Sequence, residues 1–224
     1  MSREKSEKYY AFFDVDGTLL KGVSMIEFLK FYFQKKYKKL GKIKYYVYII
    51  NAFFVKKIFS RSILNKFYYQ NYKNEQCDYL FFIAQKWFDQ NIKNNEKAFL
   101  SRVVSILKWH QKNGGEIVFV SGSFYACLLP LSKMLNVQFI LCTEMISENN
   151  FYTGKIKYPM IGEEKSSAIL NFLKEKKVDA KYCYAYGDHI SDVFMLECVG
   201  NPHVIEGDAA LMAWAKSKKL PVLF

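Results

Sequence analysis

Residues 9–18 read YYAFFDVDGT: an unbroken apolar run, then two aspartates one residue apart, a glycine and a threonine. A short apolar run closed by turn formers fits a strand buried on both faces, and the segment from Asp14 to Val23 then reads as the loop leaving it. The same rhythm returns after Gly115. Apolar runs predict strands at 116–120, 138–141, 182–186, 203–205 and 221–223, alternating with helices at 124–135, 163–177, 190–198 and 208–218. Continuous apolar strands alternating with helices imply a parallel sheet covered on both faces, so the class is α/β. Between these two parts, residues 25–113 show no strand pattern. Helices are expected at 25–38, 42–59, 75–91 and 95–113, with Ser24 as an N-cap completed by Glu27 in a capping box, and Gly41 as a break. Residues 143–158 suggest a small hairpin.

The composition narrows the class further. The 224 residues are 51% hydrophobic and 18% aromatic, too apolar for a disordered chain. Five cysteines, none in a CxxC pair, argue against a zinc ribbon or disulfide framework and for reduced thiols in a cytoplasmic protein. The start MSREKSEKYY lacks the apolar stretch of a secretory leader, and the longest stretch without a charge, residues 117–132, is interrupted by Gly122 and Pro130. The net charge is +12, and residues 25–75 alone carry +10, with Glu27 and Glu75 as their acids and 15 of the 40 aromatic residues. Such asymmetry marks a surface for anions or reflects solvated lysines.

Ligands of open parallel sheets bind at the carboxyl ends of the strands. The polar residues expected there are Asp14, Asp16 and Thr18 after the first strand, Ser121, Gly122 and Ser123 after the second, and Asp188 with Asp192 after a later one. Lys165 stands at the start of the helix following Gly162. Clustered carboxylates need a cation, and an oxygen-rich site suits Mg²⁺. A hydroxyl, backbone N–H groups and a lysine beside it make a phosphate cradle.

These stretches, DVDGT at 14–18, Ser121 after EIVFV, Lys165 in GEEK and GDHISD at 187–192, resemble the four motifs of the haloacid dehalogenase superfamily, in its phosphoserine-phosphatase-like branch. The resemblance covers residues 9–24 and about 115–224. It implies a Rossmann-like three-layer sheet built from residues 1–24 and 96–224, with an all-helical cap, residues 25–95, inserted after the first strand. It also implies a phosphate monoesterase. Asp14 would be the nucleophile, forming an aspartyl-phosphate, and Asp16 the acid and base for leaving group and water. Asp14, the Asp16 carbonyl and Asp188 would hold Mg²⁺, with Asp192 beyond them orienting water or a neighbour. Ser121, Gly122 and Thr18 would bind the phosphoryl group, and Lys165 would counter its charge. His189 is expected at the solvent or substrate entrance. His110 and His203 are expected in structural or surface positions, and Cys183 in the core.

Phosphoserine phosphatases carry a glutamate nine residues after the nucleophile, where this chain has Val23. That departure points away from phosphoserine and toward another small-molecule phosphate ester, soluble or lipid-derived. The uncharged run 45–55 reads as a buried cap helix, with peripheral contact to a membrane surface as the alternative. Arg61 reads as a surface residue, or one reaching an anionic group of the substrate. Lys35, Lys36, Lys38 and Lys39 are expected on solvent-facing turns. No nucleic-acid partner is expected. The alternative to an enzyme is a catalytically weak module on the same fold that binds anions or a membrane surface.

Overall fold

The computed structural model describes residues 8–223; the first residues of the polar N-terminal stretch lie outside them. Strand β1, Tyr10–Phe13, is followed by helices α1, Ser24–Tyr37, α2, Lys39–Ile58, α3, Arg61–Tyr69, α4, Cys77–Asn91, and α5, Ser101–Lys112. Then come β2, Glu116–Phe124, α6, Tyr125–Met134, β3, Phe139–Thr143, and the hairpin β4, Met145–Glu148, with β5, Phe151–Ile156. Helix α7, Glu163–Lys176, β6, Tyr184–Gly187, α8, Val193–Glu197, β7, Asn201–Ile205, α9, Ala209–Lys218, and β8, Val222–Leu223, complete the chain. The main sheet is parallel throughout, in the order β3-β2-β1-β6-β7-β8. β1, with Asp14 at its end, is thus central, flanked by the strands that carry Ser121 and Asp188.

The period-2 alternation of β1 divides the core. Tyr10 and Phe12 face one layer with Val118, Val120 and Ala185, packed against Ile169 and Phe172 of α7 and Leu211 of α9. Ala11 and Phe13 face the other with Ile117, Phe119 and Tyr186, packed against Val103 and Leu107 of α5 and Leu128 and Leu131 of α6. Helices therefore cover both faces, which gives three layers.

The helices between β1 and β2 join the second of these layers through aromatic side chains. Phe124, at the end of β2, has its ring 5.6 Å from Phe28, 5.8 Å from Tyr69 and 5.5 Å from Tyr72. Trp87 of α4 closes the cluster 5.8 Å from Phe28. A buried Glu75 receives the Tyr32 hydroxyl and, at 2.6 Å, the Lys36 ammonium. Lys36 thus lies on α1, not on a turn, and pairs from the partly exposed edge of the helix with this buried carboxylate.

Several local expectations are corrected. The N-cap of α1 is Val23, which makes no side-chain bond, so there is no Ser24–Glu27 capping box. Gly41 lies inside α2, where a Cβ would fall 2.2 Å from the carbonyl oxygen of Phe33; it permits close approach of α1 and α2. The break between those helices is at Lys38, with φ +51°. Helix α3 gave no separate sequence signal. Finally, the run 45–55 is not buried: of α2, Gly41 and Tyr48 are covered, while Tyr46, Val47, Ile50, Phe53 and Phe54 are each more than half exposed.

Candidate active site

The loop after β1 is wound tightly. The Val15 carbonyl accepts the amides of Leu19 and Leu20, each at 2.9 Å, and the Gly17 amide returns to Leu20 O at 2.8 Å. Gly17 has φ +84°, and a Cβ there would lie 2.1 Å from Asp188 Oδ2. Both the left-handed backbone and the nearness of the neighbouring strand's carboxylate require glycine. The amide of Asp14 bonds Tyr186 O at 2.9 Å, holding the end of β1 against β6.

Lys165, 3% exposed, lies in the first turn of α7. Its ammonium donates to Asp14 Oδ1 at 2.7 Å and to Asp192 Oδ1 at 2.8 Å. Asp188 completes the group: carboxylate oxygens of Asp14, Asp188 and Asp192 lie within 4.8 Å of one another. Burial pushes the Asp14 carboxyl up to about 8, against the pull of Lys165. Burial and the Asp192 charge raise Asp188 as well. Lys165 is held above the ordinary lysine range because Asp14 and Asp192 outweigh its burial. One ammonium among three crowded carboxylates leaves an excess of negative charge, in an all-oxygen donor set. That chemistry fits a hard divalent cation such as Mg²⁺.

Asp192 is buried and doubly held: Oδ1 by Lys165, and Oδ2 by the His189 amide at 3.3 Å. A Cβ at Gly187 would stand 2.7 Å from its Cβ, so the glycine of GDHISD makes room for this aspartate.

Asp16 points elsewhere. Its Oδ1 accepts the Ser24 amide at 3.0 Å, so it supplies from outside the helix the cap that Val23 lacks at α1. Burial lifts its carboxyl to about 6, with the Ser24 bonds acting in the opposite sense. The candidate acid–base group is thereby tied to the first helix of the insertion.

Two residues expected at the phosphoryl group have other contacts. Thr18 is fully buried and its hydroxyl donates to Asp188 Oδ1 at 2.9 Å, so it orients that carboxylate. The Gly122 carbonyl is taken by three donors: Asn65 Nδ2 at 3.1 Å, the Tyr69 hydroxyl at 2.8 Å and Thr143 Oγ1 at 2.9 Å. Ser121 is buried at the end of β2, its Oγ accepting the Ser123 amide at 3.1 Å.

Asn65 and Tyr69, one helical turn apart on α3, were missed by sequence reasoning because α3 itself was; the Asn–Tyr pair at i,i+4 among apolar neighbours was the available signal. Together they fasten the insertion to the carboxyl-terminal part of β2. Arg61, at the start of α3, donates to Ser191 Oγ at 2.9 Å, between Asp188 and Asp192 in sequence but at the surface. His189 is half-buried, its Nδ1 accepting the Ser191 amide at 3.0 Å. His110 is buried between Tyr9 and Tyr186, His203 stacks on Tyr186, and Cys183 is buried in the core.

The sequence matches the haloacid dehalogenase-like hydrolases over residues 11–197. Among curated proteins it is similar to the inhibition of morphological differentiation protein of Streptomyces azureus, with 27% identity over 95% of this chain and 77% of that one. Among solved structures it is similar to a protein of unknown function from Bordetella pertussis Tohama I, with TM-score 0.87, 18% identity, and coverage of 98% and 99% of the two chains. It is also similar to a phosphoserine phosphatase captured as a phospho-aspartyl intermediate analogue, with TM-score 0.65, 14% identity, and coverage of 97% and 93%. At these identities the two structures speak for the fold alone.

Proposed function

The chain belongs to the haloacid dehalogenase-like hydrolases, and from that premise we propose that it hydrolyses a phosphate monoester through an aspartyl-phosphate on Asp14. The observation that carries this reading is the lysine-bridged cluster: Asp14 and Asp192 on one ammonium, Asp188 beside them, and Asp16 held apart on the Ser24 amide. Asp16 also caps α1, but a cap alone does not call for a buried carboxyl raised toward neutrality beside the cluster, which suits a general acid.

In this mechanism Asp14 attacks phosphorus with Oδ2, because Oδ1 is held by Lys165. Asp16, raised to about 6, is protonated in a useful fraction of molecules near neutral pH, and it passes its proton to the departing alkoxide. As a carboxylate it then takes a proton from the water that attacks the aspartyl-phosphate, which restores both groups. Lys165 offsets negative charge on Asp14 and on the transferring phosphoryl group. The Ser121 hydroxyl and the Gly122 amide donate to its oxygens. Mg²⁺ would be held by the carboxylates of Asp14 and Asp188 and by the Asp16 carbonyl, with Asp192 fixing Lys165. When bound, it supplies charge neutralisation and in-line orientation of the phosphate. Residues 25–95 act as the cap, and Asn65 and Tyr69 fasten it over the site.

The test is single-turnover hydrolysis of an aryl phosphate. Wild-type protein should form an acid-stable, hydroxylamine-labile phosphoenzyme and lose turnover in EDTA. Asp14→Asn should form none, and Asp16→Asn should slow turnover by about 10²-fold or more while still binding phosphate. Unchanged turnover in Asp14→Asn would overturn the assignment of the nucleophile.

A further inference from the structure

We propose that the outer face of α2 is a docking surface for an anionic phospholipid bilayer. The inner side of this helix runs along Gly41, Tyr45, Tyr48, Ala52 and Val55, at alternating spacings of four and three, with Gly41 and Tyr48 buried and the other three half-buried. The opposite side carries Leu40, Ile43, Val47, Ile50, Phe54 and Ile58 in one stripe, each between 52% and 72% exposed. Tyr46 and Phe53 flank it at 60% and 54%. A helix of 20 residues is about 30 Å long, so the stripe is far larger than the scattered apolar residues normal on a protein surface. No described helix is long and apolar enough to cross a membrane, so this one would lie along the surface.

Charge decides the occupant. Lys38, Lys39, Lys42 and Lys44 stand at one end of the stripe and Lys56, Lys57 and Arg61 at the other, with no Asp or Glu anywhere from 28 to 74. A second copy of the chain would bring lysine against lysine in either orientation of α2 on α2. An anionic bilayer meets both needs: acyl chains for the stripe and head-group phosphates for the lysines at its ends. The lysines are already placed beside rings, Lys57 over Phe53 at 4.5 Å and Lys44 over Tyr37 at 4.2 Å. A basin of about 430 Å³ between α1 and α2, lined by Lys30, Gln34, Lys42, Tyr45 and Tyr46, offers ammonium, amide and phenol donors to one head group.

This surface is continuous with the candidate active site. The turn from α2 into α3 passes through exposed Ile58 and Phe59 to Arg61, whose guanidinium bonds Ser191 in the same loop as Asp188 and Asp192. A chain lying on α2 therefore brings the rim of the site toward the lipid surface.

The experiment is sedimentation of the full chain with vesicles of phosphatidylglycerol and phosphatidylcholine, beside vesicles of phosphatidylcholine alone. It reads binding without catalysis, so it stands or falls independently of the proposed phosphatase reaction. Wild-type protein should bind the anionic vesicles, weaken in high salt, and bind the neutral ones at least tenfold less. Ile50→Asp with Phe54→Asp should lower binding tenfold or more, with little change in melting temperature, because both side chains are more than half exposed. Lys56→Gln with Lys57→Gln should lower it by about fivefold per charge. Equal binding to both vesicle types, unaltered binding in the Ile50/Phe54 variant, or no binding by the wild type would overturn the proposal. A wild-type dimer that the Ile50/Phe54 variant dissolves, without vesicle binding, would assign the face to a second copy instead.

Discussion

Replacing Lys165 with methionine keeps the length and volume of the side chain and removes the ammonium between Asp14 and Asp192. With both carboxylates ionised, at a pH above the Asp14 value of about 8, each contact at 2.7 and 2.8 Å is worth about 6 kcal/mol at an effective dielectric constant of 20, before the cost of burying the charges. Burial offsets much of that, and removing one partner of a buried pair costs about 3–5 kcal/mol net. For a chain this size that corresponds to a fall in Tm of about 6–20 °C, read by differential scanning calorimetry in EDTA so that no metal substitutes for the lysine. Turnover should fall about 10²–10³-fold, as expected for loss of a preorganised charge at a developing anion. Combining Lys165→Met with Asp192→Asn removes one of the stranded carboxylates and should recover part of the stability, a coupling read by a double-mutant cycle. If Lys165→Met melts within 2 °C of wild type and keeps turnover within tenfold, the lysine does not hold the cluster together and the electrostatic account of the site is wrong.

Gly17→Ala should lower Tm and reduce turnover at least 10²-fold, because the new Cβ needs φ +84° and would fall 2.1 Å from Asp188 Oδ2; near-normal activity would show that Asp188 can move without cost. His110 bears on acid stability: burial, with a smaller contribution from His203, pushes its ring down to about 4 from the ordinary 6.5. The unfolded chain takes up this proton below about pH 6.5 and the folded chain only near 4, so stability is present above the window and lost as pH falls through it. The loss is about 1–2 kcal/mol between pH 7 and 5. Urea melts of His110→Gln should lack this increment of slope, and an identical slope would assign acid lability elsewhere. Phosphoserine should be a poor substrate, since Val23, 52% exposed, offers no charge to an ammonium group; Val23→Glu should raise kcat/KM for phosphoserine relative to an aryl phosphate, and equal gains on both would refute that reasoning.

The order of strands and helices after Gly115, the helical insertion before it, and the residues that gather at the sheet's carboxyl edge are all legible in the local pattern of residues. These are local matters: apolar runs closed by Asp-Gly or Gly-Asp state both where a strand ends and which polar groups follow it. Asp14, Asp188, Asp192 and Lys165 were legible for that reason, although Lys165 and Asp14 are separated by 151 positions.

The partners that such residues find across the chain emerge only from long-range packing. Nothing near Thr18 in sequence says that its hydroxyl orients Asp188, and nothing near Val23 says that Asp16 caps its helix. The three donors on the Gly122 carbonyl come from two separate segments, at 65–69 and 143. Lys36 shares the lysine-rich pattern of its neighbours, and only the fold brings the buried Glu75 carboxylate against it. Helix α2 makes the same point on a larger scale. Hydrophobicity says that a face avoids water, but whether another layer of protein covers it depends on how many helices pack outside, and among the described residues none does along the line from Leu40 to Ile58. Periodicity is a property of the strand or helix, whereas cover is a property of the assembly around it.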